Sequence, residues 1–165
     1  MEMNIKSITL FLAIITTALS AGLFYAWVVS VIPGTKKIPD QAYLETMQSI
    51  NRAILNPAFF AIFFGAIVLL CASTFLQYRI KIDSAFYLIL SATLIYLIGT
   101  LGVTIFGNVP LNDVVDALDL NTFTEDDYKN ARVAYEGKWN QLNLIRTTAA
   151  LVSFFLVLVA ALWES

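Results

Sequence analysis

The sequence predicts an all-α fold, a four-helix transmembrane bundle with an amphipathic helix in its first long loop, and three observations carry that prediction. From Ser84 to Asn112 the chain runs 29 residues without a charged side chain. Hydrophobic residues make up 59% of the chain and mean hydropathy is +0.75. Charged residues are only 13%, against about 25% in soluble domains. Crossing a hydrocarbon core of roughly 30 Å takes about 20 apolar residues at 1.5 Å per helical residue. Residues 8–32, 57–78, 85–106 and 142–163 meet that requirement, so residues 1–165 read as one integral membrane domain.

The first span begins after Lys6, and Ala18-Leu19-Ser20-Ala21 gives it the small residues of a cleavable leader. The apolar run continues through Leu23, Phe24, Trp27 and Val31, which favours an uncleaved span. Ala18, Gly22, Ala26 and Ser30 recur at helical spacing here, as Ala61 and Gly65 do in the second span; such rows predict close packing of these two helices. Pro33-Gly34 reads as a turn. Asp40 then reads as a cap for an amphipathic helix with Tyr43, Met47, Ile50 and Ile54 on one face and Glu45, Gln48 and Arg52 elsewhere. That helix fits either the membrane surface or the mouth of the bundle.

Asn56 and Pro57 form a start signal for the second span, a cap followed by a proline whose missing N–H costs nothing there. Cys71, the single cysteine, falls mid-span as a small packing residue. The third span contains Ser91 and Tyr96, which either line a pocket or pack between helices, and the fourth ends near Trp163. Trp27, Trp139, Trp163, Tyr78 and Tyr87 fall near the expected interfaces.

Four spans place both termini and the turn Arg79–Ser84 on one side, and the polar segments 33–56 and 107–141 on the other. Lys6, Arg79 and Lys81 oppose seven basic residues on the long-loop side, but those seven are outnumbered by nine acids. Raw counting puts the loops in the cytoplasm, whereas the tight Arg79/Lys81 pair favours cytoplasmic termini, and the second reading is preferred. The expected location is a bacterial inner membrane. No signal specifies an oligomeric state.

The chain has no histidine, which removes the commonest metal and haem ligand and every imidazole triad. There is no phosphate-binding glycine loop, and a net charge of −2 gives no reason to expect nucleic acid as a partner. The chemistry therefore belongs where polar side chains gather, at the long-loop end of the spans. Thr100, Thr104, Gly107 and Asn108 share a face at the end of the third span, followed by Asn112 and Asp113. Trp139, Asn143, Arg146 and Thr147 share a face at the start of the fourth, and Asn51 and Asn56 lie on the same side. An arginine one turn inside a span is costly without a partner, and Asp113, Asp116 and Glu136 are the nearest acids in this topology. Taken singly, these amides read as helix caps; together, several donors and one fixed cation suit a ligand oxygen or an oxyanion.

Val31-Ile32-Pro33-Gly34, Met47–Arg52 with Asn56-Pro57-Ala58-Phe59, Gly99-Thr100, Asn108-Val109-Pro110-Leu111-Asn112 and Trp139-Asn140…Asn143…Arg146-Thr147 together resemble a family of small four-helix membrane proteins. The family is largely of unknown function, and the fungal anthrone oxygenases are its best-known members. The resemblance implies oxidation of an anthrone to an anthraquinone by O₂, without metal or organic cofactor. In that scheme Arg146 and the amides of Asn108, Asn112 and Asn143 surround the substrate oxygen, and Asp113 is the base. Trp139 stacks on the substrate, with Asn51, Asn56, Thr104 and Thr147 completing a site for a lipophilic small molecule. The alternative is a non-catalytic membrane protein that binds a lipid, quinone or partner subunit. A transporter is disfavoured by the lack of charged residues deep in the spans.

Overall fold

The computed structural model describes residues 4–163, and in it four helices are long and apolar enough to cross a membrane. They are α1 (Ile5–Thr35), α3 (Pro57–Ile80), α4 (Ser84–Asp116) and α5 (Glu125–Trp163). A shorter helix, α2 (Asp40–Ala53), joins α1 to α3, and no strand occurs among the described residues. Neighbouring contacts run α1–α3–α4–α5 and back to α1, an up-down ring of four. The common core holds Leu10, Ala13, Phe24, Phe63, Leu70, Ile89 and Val157. Phe11, Phe64, Phe75, Ile98, Phe106 and Phe155 point outward, as a lipid-facing surface requires.

The helices outrun the spans expected of them. The 39 residues of α5 reach about 58 Å at 1.5 Å per residue, almost twice a hydrocarbon core. Most of the segment expected as a polar loop between the third and fourth spans is thus helix projecting out of the bundle. Pro33 and Pro110 also lie inside helices rather than at breaks. The N–H groups of Ile32 and Val109 reach back five residues, to the carbonyls of Trp27 and Thr104. Each proline therefore follows a widened π turn, Trp27–Val31 or Thr104–Asn108, which relieves its ring against the preceding turn.

A second apolar cluster, including Tyr43, Leu44, Met47, Val115, Tyr128, Tyr135 and Trp139, sits on the projecting ends. It fixes α2 as a cap on the bundle mouth. Gln48, expected to face away, donates from Nε2 to the carbonyls of Val115 (2.9 Å) and Leu118 (3.0 Å) at the end of α4. Asp40 makes no cap bond; its carboxylate meets Arg132, which also donates to the Ile38 and Thr35 carbonyls and to Glu136. Arg132 thus ties the α1–α2 junction to α5, with its guanidinium 4.4 Å from the Tyr43 ring. Burial, with Glu136 nearby, pushes the Tyr43 phenol up from its ordinary pKa. Asn56 caps α3 as expected, accepting from the Phe59 N–H at 3.0 Å.

Helices α1 and α3 pack most extensively, but through another row than the one expected. Gly22, Ala26, Ser30 and Ala61 are exposed, and the buried face of α1 is Ala13, Thr17, Ala21 and Phe24. Gly65 alone of the named glycines in these two helices approaches its neighbour, with Thr16 Cγ2 3.9 Å from an added Cβ. Cys71 and Ser91 face outward, while Tyr96 packs between helices, its hydroxyl bonded to Ser20 (2.8 Å) and the Phe63 carbonyl (3.2 Å). Trp163, Tyr78 and Tyr87 are exposed as interface residues should be. Trp27 and Trp139 instead pack on each other, ring centres 5.4 Å apart, at the mouth.

Candidate functional site

Where the bundle meets its cap, a cavity of about 160 Å³ opens among all five helices. Leu23, Phe24 and Trp27 form its α1 wall, and Ile50, Asn51 and Ile54 descend from α2 and its end. Thr104, Val109, Asn112 and Asp113 of α4 face Trp139 and Arg146 of α5. A dry cavity of about this volume accepts one benzene-sized ring, so a polycyclic ligand extends toward the open side. The π turns that precede the two prolines begin with Trp27 and Thr104, both in the cavity wall.

Arg146 is the electrostatic centre. It is only 9% exposed, and among the described residues no carboxylate pairs with it. Asp116 is taken by Arg52 and Glu136 by Arg132, and Asp113 stands exposed on the cavity wall with no salt bridge among the described residues. The expected acidic partners are therefore not its partners. Asn143 Oδ1 accepts from Arg146 Nε (3.0 Å) and Nη2 (2.9 Å), and Nη1 reaches Thr104 Oγ1 at 3.5 Å. The guanidinium carbon lies 4.5 Å from the Phe24 ring centre and 5.3 Å from that of Trp139. Neutral acceptors and π faces offset part of the cost of burying a cation. They leave its charge uncompensated and turned toward the cavity.

Beside it runs a polar chain. Asn51 Nδ2 meets the Tyr135 hydroxyl (3.4 Å), which donates to Asn112 Oδ1 (3.0 Å); the Trp139 indole N–H donates to the same oxygen at 2.7 Å. The structure thus places Asn51, Thr104, Asn112, Asp113, Trp139 and Arg146 around one space. Four other residues singled out from sequence stand behind it or aside. Asn143 holds Arg146, and Thr147 bonds back to the Asn143 carbonyl at 2.6 Å. Asn108, fully buried, donates to the Trp139 carbonyl at 3.3 Å, and Asn56 caps α3. Sequence reading missed Phe24 and Tyr135 as site residues and assigned Trp27 to the interface. The i, i+3 spacing of Phe24 and Trp27, at the loop end of α1, was the available signal.

Fold and site together define a class: a four-helix membrane bundle whose capped mouth encloses a buried cation between aromatic walls. A profile of the anthrone oxygenase family matches residues 58–156, more than half of the chain, from the start of α3 into the apolar part of α5. The chain belongs to the anthrone oxygenase family. No curated protein and no solved structure was found to resemble it.

Proposed function

We propose that this protein oxidises a flat, lipophilic anthrone-like phenol with O₂ at the mouth cavity. The observation that carries the reading is Arg146, a buried guanidinium without a carboxylate partner among the described residues, facing a space walled by Phe24, Trp27 and Trp139. Such a site favours a ligand that becomes anionic during reaction, because preorganised charge stabilises the anion most where water is excluded. Asp113, at the open side, takes a proton from the activated CH₂ of the ring, and Arg146 holds the resulting enolate oxygen. The enolate carbon delivers its electrons to O₂ and forms a C–O bond, giving a peroxide that takes up a proton. Loss of the remaining C–H proton then breaks the O–O bond and expels hydroxide, leaving a second carbonyl and one water. The net change is one CH₂ and one O₂ converted to one C=O and one H₂O. The lipid-facing surface, and the lean of the positive charges, support an inner-membrane protein with cytoplasmic termini.

The test is O₂ uptake by protein in nanodiscs given 9-anthrone under ¹⁸O₂. Uptake above the spontaneous rate, with one ¹⁸O per quinone formed, is expected. Saturable binding of 9-anthrone without any enhanced uptake would instead support the non-catalytic alternative.

A further inference from the structure

Resting on that reading, the geometry points to Asn112 as a specificity residue that presents only its NH₂ group to the cavity, with Tyr135 as the residue that positions it. An amide side chain offers a carbonyl acceptor on one side and two donors on the other, so its orientation decides what it recognises. An indole N–H can only donate. The atom of Asn112 that meets Trp139 Nε1 at 2.7 Å is therefore the oxygen, and the Tyr135 hydroxyl occupies the same oxygen at 3.0 Å. Tyr135 is itself turned by Asn51, whose Nδ2 approaches the phenol oxygen and leaves its proton for Asn112.

Both ring donors are held firmly. Tyr135 is 3% exposed and Trp139 is 2% exposed, and the two rings pack 6.2 Å apart. Rotating the amide would set its NH₂ against the indole N–H and strand a buried donor. Asn112 is half-buried and lines the cavity, so its NH₂ is the group left for a ligand. The cavity then carries two separate donors, the Arg146 guanidinium and the Asn112 amide, on walls from different helices. A ligand that uses both bears two oxygen acceptors on one edge: one that takes the developing negative charge and a second, neutral one beside it.

The test compares 9-anthrone with 1-methoxy-9-anthrone, whose added oxygen can only accept, by calorimetric titration under argon with the protein in nanodiscs. One hydrogen bond of ordinary net worth corresponds to about tenfold tighter binding of the methoxy compound to the wild type. Asn112→Asp keeps an acceptor for Trp139 and Tyr135 but turns an oxygen toward the ligand; the preference is expected to vanish or reverse while the unfolding midpoint stays near that of the wild type. Tyr135→Phe loosens the amide and should leave an intermediate preference, and it carries the test alone if Asn112→Asp does not fold. A wild type that binds both compounds equally, or variants that keep the full preference, overturns the role of Asn112 and leaves the site reading standing. Failure of the wild type to bind either compound overturns the site reading and this inference with it.

Discussion

The apolar length of the bundle and its capped mouth handle polar groups in opposite ways. Along the bundle, many hydroxyls are spent locally: Thr9, Thr16, Thr17 and Thr148 bond to carbonyls of their own helix. Contacts between helices there rest largely on small residues and ring packing, as at Gly99 against Ala149 and Phe24 against Phe63, with separate hydroxyl links from Ser20 to Tyr96, Thr74 to Thr93 and Ser153 to the Ala92 carbonyl. At the mouth, polar groups reach across helices. Gln48 binds the end of α4, Arg132 ties α1 and α2 to α5, and Tyr135 links α2 to α4. The difference teaches that lipid exposure rewards groups that need nothing from their neighbours, whereas a site needs groups held by neighbours and left with capacity to spare.

Replacing Asn143 with leucine should break the mouth most severely short of removing Arg146. It strips the guanidinium of the oxygen that accepts its two shortest hydrogen bonds, and loss of a partner to a buried charge costs about 3–5 kcal/mol. Thermal unfolding should show the loss, with O₂ uptake falling alongside it. Gly99→Ala attacks the apolar half instead. An added Cβ would stand 2.6 Å from Ala149 Cβ, an overpacking expected to cost about 1–3 kcal/mol. Ala149→Gly should restore most of that stability, and a double-mutant cycle on unfolding midpoints measures the coupling.

Smaller effects sharpen the contrast. The Arg52–Asp116 pair spans the cavity rim but is exposed, 62% at the arginine side chain and 45% at the aspartate. Arg52→Ala should therefore change stability by less than about 1 kcal/mol, an outcome that unfolding in increasing salt checks. The smallest effect lies at the far turn, where Asp83 caps α4. The Phe86 N–H, the Gln77 amide and Lys81 hold its carboxyl below the usual carboxylate range. A depressed folded value adds stability above the unfolded pKa of about 3.9, and that stability is lost as pH falls through the folded value. The difference in midpoint between wild type and Asp83→Asn should thus be present near neutral pH and shrink below about pH 4.

The four spans were legible because length and hydropathy alone decide what can cross a bilayer. The family was legible too, from motifs spread in order along the chain. Helical continuation past Pro33 and Pro110 was not, since a proline reads as a break unless the turn before it widens, and nothing in Val31-Ile32 or Asn108-Val109 announces that widening. The start of α5 was hidden for a different reason: Glu125–Lys138 is polar, so its helical nature shows only when Tyr128 and Tyr135 find the second core. Arg146, Asn143 and Thr104 could be grouped from helical spacing. The partner of Arg146 could not, because two of the three nearest acids in topology, Asp116 and Glu136, are claimed by Arg52 and Arg132 through contacts between distant segments, and the third, Asp113, stands exposed on the cavity wall. Phe24 escaped notice because an aromatic residue in an apolar helix carries no mark of the cation it faces.

The central claim, that Arg146 holds an oxyanion at the capped mouth, is tested most directly by O₂ uptake with 9-anthrone in wild type and Arg146→Gln, both in nanodiscs and matched for folded fraction. Loss of a preorganised oxyanion donor predicts a fall of at least about 100-fold in the rate above the spontaneous background. A folded Arg146→Gln protein that consumes O₂ at the wild-type rate would contradict it.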